Sequence, residues 1–164
     1  MQNKFKAFAK EIIIFGLLLF VLANVLSYLR KPSLDSDILP KISLKLLDQK
    51  VFIPKENQAL IIHFWATWCP TCKLEASNIQ SLSKDYQVLS IAVNSGINED
   101  IQDYMQKNHL NFPVYNDKDG SFAKAFKVQA FPTTFIYNAQ GKRAFTEVGY
   151  TSQIGFLARL KLLN

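Results

Sequence analysis

The longest apolar run comes first: eighteen uncharged residues from Ile12 to Leu29. As a helix, a run of that length nearly spans a hydrocarbon core of about 30 Å. Residues 1–11 read as a short tail and 12–29 as a transmembrane anchor. A cleaved signal peptide is the competing reading. Its apolar region is shorter, roughly 7–15 residues, and its small-x-small site would have to be Val25-Leu26-Ser27. Length favours the uncleaved anchor. Lys4, Lys6 and Lys10 before the run are balanced by Arg30 and Lys31 after it, so positive charge alone does not orient it.

Residues 30–41 hold two prolines among small and acidic residues and read as a linker, with one domain over 42–164. Ile42–Leu47 and Val51–Ile53 alternate around Asp48-Gln49-Lys50, which predicts a hairpin. Ala59–Trp65 and Val88–Val93 are continuous apolar runs and predict buried strands. Between them Pro70 suits a first helical turn, and Leu74, Ile79 and Leu82 supply an apolar face through about Lys84. Further helices are predicted over Ile97–Asn108, Ser121–Phe126 and Ser152–Leu163, with a short strand at Pro113–Tyr115. Thr133–Tyr137 and Ala144–Val148 flank Asn138-Ala139-Gln140-Gly141, a hairpin signal. This order predicts an α/β domain with a mixed central sheet and helices on both faces.

At 164 residues the chain has room for one such domain beside the anchor. The net charge of +6 first points to an acidic partner. Five of the nineteen basic residues, however, flank the apolar run; from Pro32 onward there are 14 basic and 12 acidic residues, with no basic block. A nucleic-acid partner therefore has no electrostatic footprint in the domain.

The chain's two cysteines stand three positions apart in Cys69-Pro70-Thr71-Cys72, at the predicted junction of strand and helix. A structural disulfide framework needs more distant pairs, and a four-thiolate zinc site needs a second pair. A redox-active Cys69–Cys72 disulfide is the reading that remains, and it requires no metal or cofactor. The unpaired N–H groups at a helix start favour thiolate, the attacking species, on Cys69. Cys72, one turn on and more buried, then resolves the mixed disulfide. Pro70 removes one N–H donor near the sulfur, and with Thr71 tunes the pair.

Phe64-Trp65-Ala66-Thr67-Trp68-Cys69-Pro70-Thr71-Cys72-Lys73 resembles the active site of the thioredoxin superfamily, and Phe131-Pro132-Thr133-Thr134-Phe135 is similar to its cis-proline segment. Phe112–Asp117 and Asp119-Gly120 resemble the central insertion of the TlpA/ResA/DsbE branch, with the greatest similarity to membrane-anchored ScsD-like oxidoreductases. The resemblance spans about residues 41–163 and implies a thioredoxin-like fold. It also implies exchange of disulfides with envelope proteins, in some relatives apocytochromes c or copper-stress proteins, and an upstream redox partner. By position, Pro132 becomes a cis-proline beside the disulfide, the Phe131 backbone a strand partner for bound substrate, and Trp68 a wall of the site. A trans strand-start proline and a core tryptophan are the plainer readings of Pro132 and Trp68.

Two residues depart from the pattern. His63 stands where thioredoxins proper carry a buried acid that moves the proton of the second cysteine, so His63 is expected to assist Cys72 near neutral pH. The alternative is a hydrogen-bonded core histidine. Ser77 replaces a kinking proline of the family helix. Glu75 matches an acid frequent in the TlpA branch, and a solvated helix face accounts for it equally well; Lys73 and His109 read as surface residues.

The function these features imply is a membrane-anchored thiol–disulfide oxidoreductase, either reductase or oxidase. Its domain would lie at the periplasmic or outer face of a bacterial cytoplasmic membrane, where disulfides form. The alternative is a thioredoxin-fold carrier of Cu(I), for which two thiolates without a third ligand are an incomplete set.

Overall fold

The computed structural model describes residues 2–163, apart from the side chains of residues 2–9 and Ala23. Met1 of the expected tail and Asn164 of the expected domain lie outside the described residues. The chain divides into two compact units, one up to Arg30 and one from Lys31 onward.

In the first unit, helix α1 (Gln2–Leu29) runs through the residues read as tail and anchor alike. Its stretch Lys10–Leu29 is long and apolar enough to cross a membrane. Phe15 and Phe20 are 64% and 66% exposed on it, and a helix apolar all round needs lipid or protein cover.

The second unit begins with a small antiparallel hairpin, β1 (Leu44–Lys45) and β2 (Val51–Phe52). Strand β3 (Leu60–Trp65), helix α2 (Pro70–Leu82), strand β4 (Gln87–Val93), helix α3 (Asn98–Lys107) and strand β5 (Val114–Asp117) follow as two parallel crossover units. A short helix α4 (Ser121–Ala125) leads to the hairpin β6 (Thr133–Tyr137) and β7 (Arg143–Val148), and α5 (Gln153–Lys161) closes the domain. The five-stranded sheet has the order β5-β4-β3-β6-β7, with β6 antiparallel to β3. This is the mixed α/β sheet that the element order predicted.

Both faces of β3 are buried, which is why its sequence is a run rather than an alternation. Ile61 and Trp65 face one core with Ile79 and Leu82 of α2, Ile101 of α3 and Phe156 of α5. Leu60, Ile62 and Phe64 face the other, with Ala123 and Phe126 at α4 and Ile42 and Leu46 beside the small hairpin. Two consecutive right-handed crossovers in one direction put α2 and α3 on the same face. The β6–β7 turn forms as its residues predict. Gly141 takes φ 70°, and the Asn138 carboxamide oxygen accepts from the N–H groups of Gln140 and Lys142.

The segment read as a linker is strapped to the domain. Ile38 bridges to Lys142, the Leu39 N–H donates to the Gly141 carbonyl at 2.8 Å, and the Arg143 N–H donates to the Asp37 carbonyl at 2.6 Å. Asp37 also pairs with the Arg143 guanidinium, and Asp35 lies 2.5 Å from the Lys127 ammonium. The strap covers the turn end of β7, an edge strand whose outer backbone groups would otherwise lack protein partners.

Candidate active site

The strand-to-helix junction carries the cysteines. Cys69 caps α2 with extended backbone angles (φ −91°, ψ 111°), and Pro70 takes the first helical position, where a missing N–H costs nothing. The Cys69 sulfur accepts the Cys72 N–H at 3.1 Å, so the helix start addresses this sulfur. Cys69 and Cys72 are joined as a disulfide with Cα atoms 5.3 Å apart. Cys69 is 6% exposed and Cys72 2%, the expected order. Pro70 is exposed and Thr71 half-buried at the rim. Lys73 and His109 lie on the surface, and α2 continues helical through Ser77.

The Phe131–Pro132 bond is cis, as the resemblance implied. The β3–β6 register pairs Phe64 with Thr133, and its continuation sets Pro132 at the level of Trp65, where β3 gives way to the cysteine loop. Trp68 is not a core residue. It is 60% exposed, its indole N–H donates to the Asn94 carbonyl at 3.0 Å, and its ring meets Phe131 edge-on at 5.8 Å. Trp65 is the core tryptophan, 3% exposed, its indole N–H held by the Ser90 hydroxyl at 3.2 Å.

Beneath the cysteines lies a buried polar pair. His63 is 2% exposed and Glu75 0%. The His63 Nδ1 is 2.9 Å from the Thr134 hydroxyl and 3.7 Å from Glu75 Oε2. Glu75 Oε1 accepts the Thr151 N–H at 2.5 Å, while Oε2 has no hydrogen-bond partner. Burial pushes the Glu75 carboxyl up to about 8; the Thr151 N–H opposes this and the Glu147 carboxylate adds to it. The unpartnered Oε2 is where a retained proton would sit.

Two expectations are corrected here. Glu75 is not on a solvated helix face. Cys72, Glu75, Ile79 and Leu82 form the buried stripe of α2, and that 3-4-3 spacing was the available signal. His63 does not titrate near neutral pH, because complete burial pushes its pKa down to about 3. Burial moves Glu75, and not His63, toward neutral pH. Thr134, whose hydroxyl lies 2.9 Å from His63 Nδ1, was read only as part of a strand and of the cis-proline segment.

Among the described residues no group of three or more His, Cys, Asp or Glu side chains is placed to hold a metal ion.

Residues 37–144 match the AhpC/TSA family, well over half of the chain. The chain belongs to the AhpC/TSA family. It is 34% identical over 159 residues to a thioredoxin-like protein of Haemophilus influenzae, covering 92% of this chain and 94% of that one. It is 32% identical to the sporulation thiol-disulfide oxidoreductase A of Bacillus subtilis, covering 62% of this chain and 66% of that one. Thiol-disulfide oxidoreductases named ResA are also among its relatives. Its fold is similar to a crystal structure of a thiol:disulfide interchange protein from Chlorobium tepidum, with TM-score 0.69 and 25% identity over 80% of this chain and 98% of that one. These relatives and the adjacent cysteine pair make this AhpC/TSA member a thiol–disulfide oxidoreductase of the ResA type with a thioredoxin-like fold.

Proposed function

We propose that the chain is a membrane-anchored oxidoreductase that exchanges disulfides with proteins of the bacterial envelope through Cys69-Pro70-Thr71-Cys72. The observation that carries the reading is the Cys69–Cys72 disulfide at the start of α2, with the Cys69 sulfur receiving a backbone N–H. In the reductive direction the Cys69 thiolate attacks a partner disulfide, whose S–S bond breaks and releases one partner thiolate. Cys72 then loses its proton and attacks the Cys69 sulfur. The mixed disulfide breaks, the second partner thiolate leaves, and the Cys69–Cys72 bond forms. Oxidation of a partner dithiol is the same path reversed, with Cys72 leaving and taking up a proton.

An extended substrate segment pairs with the Phe131 backbone beside cis-Pro132, against the exposed face of Trp68 and the rim residues Pro70 and Thr71. The proton belongs to the buried pair. A carboxyl near 8 is matched to a thiol near ~8.5, so Glu75 can exchange a proton with Cys72 at small cost. His63, neutral, orients the pair by its bond to Thr134. α1 serves as a single-pass anchor in the cytoplasmic membrane, with the domain at the periplasmic or outer face. An upstream redox partner resets the disulfide after each turnover.

The test is mixed-disulfide trapping with Cys72→Ala in the full chain. The variant should hold an envelope protein on Cys69, and Cys69→Ser should abolish both capture and insulin reduction. Turnover that survives Cys69→Ser refutes the reading, as does tight Cu(I) binding without turnover.

A further inference from the structure

The sheet face beneath α2 and α5 is apolar along each strand, with Ile61 and Trp65 on β3, Val88 and Ala92 on β4 and Ile136 on β6. One transverse row interrupts it. The registers place Ser90 of β4 beside His63, His63 beside Thr134 of β6, and Thr134 beside Glu147 of β7. Glu147 meets Arg159 of α5 in a two-pronged ion pair, Nε to Oε1 at 2.7 Å and Nη2 to Oε2 at 2.9 Å. The Glu147 and Arg159 side chains are 16% and 30% exposed, so the row runs from beneath Cys72 to the surface.

Arg159 is itself held in place. Its Nη1 donates to the Gly155 carbonyl at 2.8 Å, and a Cβ at Gly155 would lie 3.4 Å from that nitrogen and 3.2 Å from the Thr151 methyl. Thr151 in turn supplies the N–H that Glu75 accepts. His63 Nδ1 lies 3.7 Å from Glu75 Oε2 and is held by Thr134, and the Glu147 carboxylate acts on Glu75 from the β7 end of the row. Glu147 is thus the carboxylate that bears on the buried acid, and Arg159 is its ion-pair partner.

We propose that Arg159 is a positioning residue which, by neutralising Glu147, sets the pH range over which Glu75 exchanges a proton with Cys72. The inference rests on the disulfide-exchange reading above and extends it to a pair outside the cysteine loop. Removing Arg159 leaves a bare carboxylate facing Glu75 and makes its ionisation harder; removing the Glu147 charge makes it easier. Packing damage alone has no reason to move the titration in opposite directions.

The experiment uses the full chain in detergent micelles. The protonated Glu75 carboxyl is followed by its infrared carbonyl band, assigned by its loss in Glu75→Gln, and insulin reduction is followed across the same pH range. Arg159→Gln should raise the Glu75 midpoint by roughly one pH unit and Glu147→Gln should lower it by a similar amount, the scale of a nearby charge. The double variant should follow Glu147→Gln, and Arg159→Lys should keep the wild-type midpoint. Midpoints that stay put, or that move in the same direction in both single variants, overturn the proposal. Cys69→Ser separates the two readings. If it abolishes turnover while the midpoints stay put, only the Arg159 proposal fails; if turnover survives it, the exchange reading fails.

Discussion

Replacing Glu75 by Gln should change how the stability of this domain depends on pH. The folded state holds the Glu75 proton up to about 8, whereas the unfolded chain releases it near 4.5. Between those values the folded state binds more protons, so stability falls as pH rises through that window. His63 acts with the opposite sign. Its folded pKa of about 3 lies below the ordinary 6.5, so stability rises with pH between those two values. The contributions oppose each other between 4.5 and 6.5. What remains is a rise below 4.5, a plateau, and a loss between 6.5 and 8 of about 2 kcal/mol, from ~1.4 kcal/mol per pH unit. Glu75→Gln removes the upper limb, and its stability should stay flat above 6.5. Trp65 and Trp68, the chain's two tryptophans, both lie in the domain. Denaturant titration of the oxidised full chain by tryptophan fluorescence therefore reports on the domain alone. A wild-type curve that is flat from pH 6.5 to 8, or a Glu75→Gln curve that keeps the slope, would refute the assignment of a buried protonated acid.

Thr134→Val removes the hydrogen-bond partner of His63 inside the core and should cost about 1–3 kcal/mol in denaturant titration, while Thr134→Ser should cost little. Trp68→Ala should lower kcat/KM for a protein disulfide about tenfold, the effect of ~1.4 kcal/mol of lost binding. Reduction of a small disulfide such as oxidised glutathione should change far less, and an equal loss on both would argue against Trp68 as a substrate wall. Arg143→Ala frees the strap at Asp37, so limited proteolysis should cut within residues 31–40 faster than in wild type, with stability reduced by no more than about 1 kcal/mol.

The sequence by itself determined the order of elements, because each strand and helix declares itself through local periodicity. The cysteine junction was legible for the same reason: the Ala59–Trp65 run, Pro70 and the two cysteines are neighbours in the chain, so their chemistry is written in one window. The strapping of residues 30–41 was not legible, because its partners Lys127, Lys142 and Arg143 lie far along the chain and β7 becomes an edge only when the sheet assembles. The deeper layer of the site is tertiary in origin. Residues 63, 90, 134 and 147 share a row only through strand register, and Glu75 joins them only because α2 turns its buried stripe onto that face. Burial then decided the protonation. Desolvation disfavours the charged form of either group, so the same interior that keeps His63 neutral keeps the proton on Glu75, and no local pattern carries that information.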